Sequence, residues 1–539
     1  MQENRQILLN PIFFMKNHLT MRILRPLPWF LPLIALMLSC NPRPVDYLIV
    51  GARVFDGSLN EPLQLDIGIR QDRIVFTGHS QDTNIRARRV IDASGLFLSP
   101  GFIDPHTHAA SDLNNLSDLS LQAWLWQGVT TVFEGNDGSS PFPIGEQLDK
   151  WEAGGMGVNV GLFVGHGTIR KRVMGPGDRK ANEEELQAMC DLVGQAMKEG
   201  AFGMSTGLFY APGSYADTEE IIALARVVAA GGGIYDTHLR DEGSYGIGLL
   251  ASVREAIEIG ERAGVPVHIS HIKALGRNAW GQSVKVADLV HEARAKGVQL
   301  TANQYPYLAS KTSLKAAVVP RWAEDGGNAA LMERLQDPGL SERLNRDIEQ
   351  NIFLRGGAGA IVITTTKHDG LRGRSLQEIA MEMGQDEVAA VKAILVQDAS
   401  TGIVSFNMQE EDLLHFMKQE WVMTASDGGR GHPRKFGSFP RKMRLYSMEE
   451  NRISLPEMIH RSSKLTANTL NIRGRGAIRP GFFADLIVFD PQKIQDLASF
   501  DTPEVFATGM VYVFVNGQLV IDNGEYNGSL SGRALRLNN

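Results

Sequence analysis

Leu96-Phe97-Leu98-Ser99-Pro100-Gly101-Phe102-Ile103-Asp104-Pro105-His106-Thr107-His108 is an apolar run that ends in two histidines one residue apart. Side chains at i and i+2 of an extended strand point to the same side, so His106 and His108 aim both imidazoles at one point. Neutral imidazole is the commonest protein metal ligand, and the pair reads as half of a metal site. Alone, such a pair also fits a surface turn. Later segments decide between the two readings. Ile234-Tyr235-Asp236-Thr237-His238 and Val267-His268-Ile269-Ser270-His271 each end an apolar strand in histidine. Trp421-Val422-Met423-Thr424-Ala425-Ser426-Asp427 ends one in aspartate. A parallel barrel gathers such strand-terminal groups at its C-terminal rim.

The spacing between these segments predicts the same architecture. From about 96 to 475, apolar runs of strand length alternate with helical stretches, such as 183–198 and 283–296. That rhythm predicts an α/β fold, a TIM-like (β/α)8 barrel. Residues 45–95 read as short strands with turns, and 476–530 return to strand patterning with an Asn516-Gly517 hairpin signal. The two flanks are expected to pair as one composite β-sandwich built from both ends of the chain. Residues 313–404 are charged and partly helical, without strand–helix rhythm, and are expected to form an insertion that lids a site.

Composition sets outer limits. The chain has 539 residues, 43% hydrophobic and 21% charged, as ordinary globular proteins do. Residues 1–39 read as an export signal: Arg22 and Arg25, an apolar stretch from Pro28 to Leu38, then Ser39-Cys40. Met37-Leu38-Ser39-Cys40 resembles a lipoprotein processing site, which makes Cys40 the lipidated first residue and predicts an exported protein held at a membrane only by that anchor, the alternative being an ordinary signal peptide and a soluble periplasmic protein; Met21 is an alternative start. Removal of the signal takes away four basic residues (Arg5, Lys16, Arg22, Arg25) and one acid (Glu3), moving the formal charge from −7 to −10. Such an acidic surface is a poor nucleic-acid binder. Cys190 is then the one remaining cysteine, on an amphipathic helix, and reads as a small core residue.

The chemistry that this residue set serves is hydrolytic. A divalent ion with an open position lowers the pKa of its water toward roughly 7 and polarises a carbonyl. A carboxylate beside that water takes its proton and passes it to a leaving amine. Asp427 suits this role, although Ser426-Asp427-Gly428 also suits a helix N-cap. His166 reads as a hydrogen-bonded structural histidine. His268 has the opposite strand parity to His271 and is expected outside the barrel. His432 is expected beside the site.

The motifs resemble the amidohydrolase superfamily, and within it the N-acyl-D-amino-acid deacylase (D-aminoacylase) family. Pro100 to His108 is similar to the superfamily's first-strand motif. Gly128-Val129-Thr130-Thr131-Val132, Val164 to Arg170, Gly203 to Pro212, Thr237 to Glu242, Ile269 to Lys273, Gln304-Tyr305-Pro306-Tyr307, Ser426-Asp427-Gly428 and His432-Pro433-Arg434 resemble deacylase segments in order. The resemblance implies one or two zinc ions, with His238 and His271 on the tightly held one. It implies His106, His108 and Asp427 at the weaker position, Asp427 being also the acid–base. It implies that Lys273, Arg434, Tyr210 and Tyr305 grip the carboxylate of a small acylated D-amino acid or short peptide.

One departure stands out. Where the family carries a zinc-binding cysteine after the second strand, this chain reads Glu134-Gly135-Asn136-Asp137-Gly138, with Asp137 at the cysteine position and Glu134 a rival ligand. Carboxylate is harder than thiolate and favours harder ions. Two other functions stay open on the sequence: a cyclic amide or imide hydrolase of the same superfamily, and a non-catalytic binding lipoprotein on the same barrel. Oligomeric state is not encoded in any of these signals.

Overall fold

The computed structural model describes residues 44–115 and 119–537. The export segment, with Cys40, lies outside the described residues.

Eight parallel strand positions form the central ring: β1 (Phe102–Asp104), β2 (Val129–Glu134), β3 (Asn159–Leu162, resuming at Val164–Gly165), β4 (Gly203–Gly207), β5 (Ile234–His238), β6 (Val267–Ile269), β7 (Leu300–Gln304) and β8 (Val422–Thr424). Neighbours pair in chain order from β1 to β3 and from the second part of β3 to β8. The gap at Phe163 is spanned by hydrogen bonds from Phe163 N to Glu134 O and from Phe202 N to Leu162 O, 2.9 and 2.8 Å. The ring closes just beyond the ends of β8 and β1. There Asp427 N donates to His106 O at 2.9 Å and His108 N donates to Gly428 O at 3.1 Å. The seam that closes the barrel is thus made by the backbone of the candidate site residues.

Strands buried on both faces need near-continuous apolar sequence, and β2, Val-Thr-Thr-Val-Phe-Glu, is buried throughout. Helices between strands cover the outside. Glu183–Lys198 starts with a capping box in which Asn182 and Glu185 satisfy each other's backbone N–H. Cys190 sits half-buried on that helix, packed against the core. The bulkiest core members are Trp124, Trp151 and Trp421.

The side domain has two sheets. A four-stranded sheet uses Val45–Val50, Asp66–Arg70, Arg73–Gly78 and Ala87–Asp92. A seven-stranded sheet mixes both ends of the chain: Phe97–Pro100 pairs antiparallel with Leu486–Phe489, which pairs with Met510–Val515. Ile49, Ile67, Ile69, Ile74, Leu98, Leu486, Val488 and Phe514 fill the space between the sheets. Asn516 and Gly517 both take positive φ, 50° and 76°, as a type I′ hairpin requires. The stretch 96–108 therefore serves two bodies. Its first half is a sandwich strand; the chain turns at Gly101, where a Cβ would stand 2.3 Å from Thr130 Oγ1, and its second half opens the barrel. Both halves are equally apolar, and periodicity does not separate a sandwich-core strand from a barrel strand.

Sandwich and barrel are tied by a buried polar knot. Asp485 accepts from Asn516 N at 2.7 Å and from Asn159 Nδ2 at 3.3 Å, and it pairs with Arg475. Both ionic partners are 5% exposed. Asp485→Ala leaves Arg475 buried without its acid and is expected to cost about 3–5 kcal/mol in denaturant unfolding; a loss below about 1 kcal/mol contradicts this account of the knot.

The region between β7 and β8 contains a sheet that its composition does not announce, with a first strand that begins at Ser310. Strands Ser310–Ser313, Gly402–Ser405 and Ile361–Thr365 pair antiparallel in that spatial order. Helices Asn328–Gln336, Ser341–Leu354, Leu376–Met383 and Glu387–Gln397 pack with them around a separate core that includes Leu314, Leu331, Leu344, Ile361 and Ile394.

Candidate metal centre

Each candidate ligand is aimed by its strand end. After β2, Gly135, Asp137 and Gly138 take φ of 82°, 55° and 73°. Ser205 Oγ accepts from Gly138 N at 3.0 Å, and Asn136 Nδ2 donates to Pro105 O and Asp236 Oδ2 at 3.2 and 3.1 Å. These ties leave the Asp137 carboxylate pointing into the mouth of the barrel. His271 N donates to Asn303 Oδ1 at 2.8 Å. His271 and Asp427 also take positive φ, 33° and 48°. Left-handed backbone costs a non-glycine residue about 1–3 kcal/mol, so three of the site residues are held in conformations that local preference opposes.

Two groups of ligand atoms result. His106, His108, Asp137 and Asp427 form one; Asp137, His238 and His271 form the other, and Asp137 belongs to both. Asp137 Oδ1 stands 3.6 Å from His106 Nε2, 3.4 Å from His238 Nδ1 and 3.2 Å from His271 Nε2. Asp427 Oδ1 stands 3.7 Å from His106 Nε2 and 3.1 Å from His108 Nε2. Atoms bound to one ion at about 2.0–2.2 Å lie roughly 3–3.6 Å apart. The buried Nε2 of His106 and Nδ1 of His238 have no hydrogen-bond partner among the described residues. Orphaned imidazole nitrogens turned toward a shared carboxylate are the signature of a site built for divalent ions.

The electrostatics agree. Burial, against the pull of Asp137, lowers His106 to about 4, so its imidazole is neutral and ligand-ready. Burial alone would raise Asp427; Arg434, His108 and the other histidines overcome it and hold the carboxyl far below its usual range. His271 behaves oppositely. Burial and Lys273 push it down, but Glu242 and Asp137 win and raise it to about 9. A metal must displace that proton. Apoprotein is therefore expected to release about one proton on metal binding near pH 7.5, with affinity rising roughly tenfold per pH unit toward 9. Calorimetry in buffers of different ionisation enthalpy reads this directly, and absence of proton release contradicts it.

All six candidate ligands meet at this centre. Glu134 does not: it accepts from Thr107 Oγ1 and Ala109 N, and burial pushes it up to about 7. Asp427 caps no helix, since the next one starts at Arg434. The placement of His268 outside the barrel is corrected. It pairs in register with the inward Asp236, is fully buried, and bonds Thr301 Oγ1 and Asn303 Nδ2 at 2.8 Å each. Parity counted from His271 fails because β6 ends at Ile269 and the chain turns before His271. His166 bonds Glu220 at 2.8 Å, and His432 bonds Ala309 O at 3.0 Å.

The centre floors a cavity of about 780 Å³ that Tyr210, Lys273, Tyr305 and Arg434 also line. Arg434 Nη1 is 2.8 Å from Asp427 Oδ2, yet it is not aligned as a hydrogen bond, and its buried Nε also lacks an acceptor. Its guanidinium lies over the Tyr305 ring, 4.5 Å from the centroid. Tyr210 approaches Thr312 Oγ1 at 3.4 Å. Sequence reasoning missed Glu242. This carboxylate pairs with Lys273, lies 3.0 Å from His271 Nδ1 and 3.6 Å from His238 Nε2, and so backs both imidazoles of one metal position. Its place four residues after His238 was the available signal. It also missed Lys311 and Arg355, which the insertion brings to the cavity wall.

A parallel barrel that gathers four histidines and two aspartates around a two-position ion site defines a class of metal-binding barrel proteins. The chain belongs to the amidohydrolase family, whose pattern it matches over residues 89–521. It is 34% identical to the D-aminoacylase of Alcaligenes xylosoxydans xylosoxydans, over 93% of this chain and 99% of that one. A solved D-aminoacylase studied for its binuclear metal centre superposes with a TM-score of 0.79 at 32% identity, covering 92% of this chain and all of the other. The N-acyl-D-glutamate deacylase of Bordetella bronchiseptica, complexed with zinc and a phosphonate mimic of the tetrahedral intermediate, superposes at 0.78 and 30% identity, covering 92% of this chain and 100% of the other.

Proposed function

We propose that this protein hydrolyses the amide of N-acyl-D-amino acids, or of dipeptides ending in a D-residue, with zinc at the centre. The observation that carries the reading is the position of Asp427. It stands between the His106–His108 pair and Arg434 on the floor of a cavity whose walls carry Lys273 and two tyrosines. His106, His108, Asp137 and Asp427 would hold one ion, and Asp137, His238 and His271 the other. A bound divalent ion supplies an acidified water and a Lewis acid for the scissile carbonyl.

The chain's own residues do the rest. Arg434 and Lys273 meet the substrate carboxylate, Arg434 through Nε and Nη1, which form no hydrogen bond among the described residues although Asp427 lies beside Nη1. That grip fixes the Cα substituents and hence which enantiomer presents its amide to Asp427. Asp427 accepts one proton of the attacking water and delivers it to the leaving nitrogen; the water oxygen ends on the acyl carbon with the second proton, which is released to solvent as the product carboxylic acid ionises. The cyclic-amide reading asked for a strand-end lysine, and neither β2 nor β3 carries a lysine.

A panel of N-acetyl-D- and N-acetyl-L-amino acids, assayed with zinc, manganese or cobalt supplied and metal content measured, tests this. The expected result is D-hydrolysis with at least about tenfold preference over L. Metal-loaded protein inactive on every D-substrate overturns it and favours a binding role.

A further inference from the structure

Apart from the exposed Lys171, two cations of the cavity wall form no ion pair among the described residues. Lys273 is paired with Glu242 and Arg434 with Asp427. Arg355 and Lys311 make no ion pair among the described residues. Arg355, just past helix Ser341–Leu354, is 2% exposed and lines the cavity. Its Nη1 donates to Ser310 Oγ at 3.3 Å, while its buried Nε has no acceptor. The rings of Phe209 and Tyr245 flank the guanidinium at 5.9 and 5.5 Å. They ease its burial, yet neither ring offers the paired oxygens that a guanidinium fork fits. Burying a charge without a partner is costly, and a cavity wall is where a ligand can supply one.

Lys311, next along the strand Ser310–Ser313, stands on the other flank. Its Nζ lies beside Gly429, 3.5 Å from where a Cβ there would stand, and the His108 ring borders the same space. Arg355 is on the His238 side of the centre, through Phe209, whose ring stacks 5.8 Å from His238. A substrate laid across the metal histidines therefore meets one cation with each of its two arms.

We infer that the insertion, through Arg355 on one flank and Lys311 on the other, offers each substrate arm a cation that can hold a second carboxylate, so that the substrates are dicarboxylic N-acyl amino acids. The inference rests on the proposed amide hydrolysis and adds the substrate class. The second carboxylate belongs either to the D-side chain or to the acyl group, and two substrate pairs separate these sources. N-acetyl-D-glutamate against N-acetyl-D-glutamine reads the side-chain arm; N-succinyl-D-leucine against N-butyryl-D-leucine reads the acyl arm.

In at least one pair the acid is expected to be preferred about tenfold or more in kcat/KM, carried mainly by KM. That preference is expected to fall toward unity in Arg355→Met or Lys311→Met. Lys311 is only partly buried, whereas Arg355 is 2% exposed, so the Lys311 variant tests the proposal even where Arg355→Met fails to fold; Arg355→Lys, which keeps the charge, is expected to retain part of the preference. Absence of acid preference in both pairs overturns the inference, as does a preference that survives both Met substitutions. If no N-acyl-D-amino acid is turned over, the hydrolase reading fails on its own account. The subsite is then judged by calorimetric binding of glutarate against butyrate to the metal-loaded protein. Tighter glutarate binding that is lost in either Met variant supports it, and equal binding overturns it.

Discussion

Asp427→Asn is expected to lower kcat by about 10²–10⁴-fold, the range that a positioned acid–base supplies. The substitution keeps the volume and the backbone bond from Asp427 N to His106 O that closes the barrel. It removes only the ability to carry a proton and a negative charge. The native carboxyl is held well below its usual range by Arg434 and the histidines, so it is ionised and ready to accept at any pH at which the protein works. An amide at the same place still reaches His108 but cannot take a proton. Arg434, freed of its acid, remains available to the substrate carboxylate. The loss is therefore expected in kcat with little rise in KM, and the His238–His271 position is expected to keep its metal by elemental analysis. Retention of more than about a tenth of wild-type kcat would sink the assignment of Asp427 as proton carrier.

Which parts of this site the sequence discloses follows from how each residue is placed. His106, His108 and His238 end strands or follow them closely, so period-two reasoning aims them correctly. Asp137, His271 and Asp427 also follow strands, but each sits in left-handed backbone. Strand-end position identifies them, while parity does not orient them, and the misplacement of His268 came from extending parity across that turn. The barrel rhythm and the paired flanks are local patterns and survive translation into structure. The sheet in the insertion does not: Ser310 pairs with Ser405, and Ile361 with the same residue, across long helical stretches. Arg355 and Lys311 reach the cavity only through that sheet and its helices, so no spacing rule places them. Glu242 lies within a motif that the resemblance covers, yet its contact with two imidazoles and a lysine is a fact of loop geometry.

Asp137→Cys is expected to change which metal the centre prefers. The family resemblance places a cysteine here, and the structure makes this position the one ligand common to both ion groups. Whatever occupies it bears on both ions at once. Carboxylate oxygen is a hard donor that accommodates manganese and cobalt as well as zinc; thiolate is soft and selects zinc over manganese. Wild type is therefore expected to keep substantial kcat/KM with manganese, whereas the cysteine variant falls by about tenfold or more with manganese and binds zinc more tightly. Asp137→Ala is the matching control. It strips the shared ligand, leaves His106, His238 and His271 facing an empty centre, and is expected to weaken metal binding by more than about a hundredfold. Competition against a chromophoric chelator reads affinity, and kcat/KM with each metal reads selectivity. A cysteine variant with the wild-type metal order would show that the histidines alone set the preference. An alanine variant with unchanged affinity would show that the carboxylate touches no ion at all, and the two-position centre would lose its bridge.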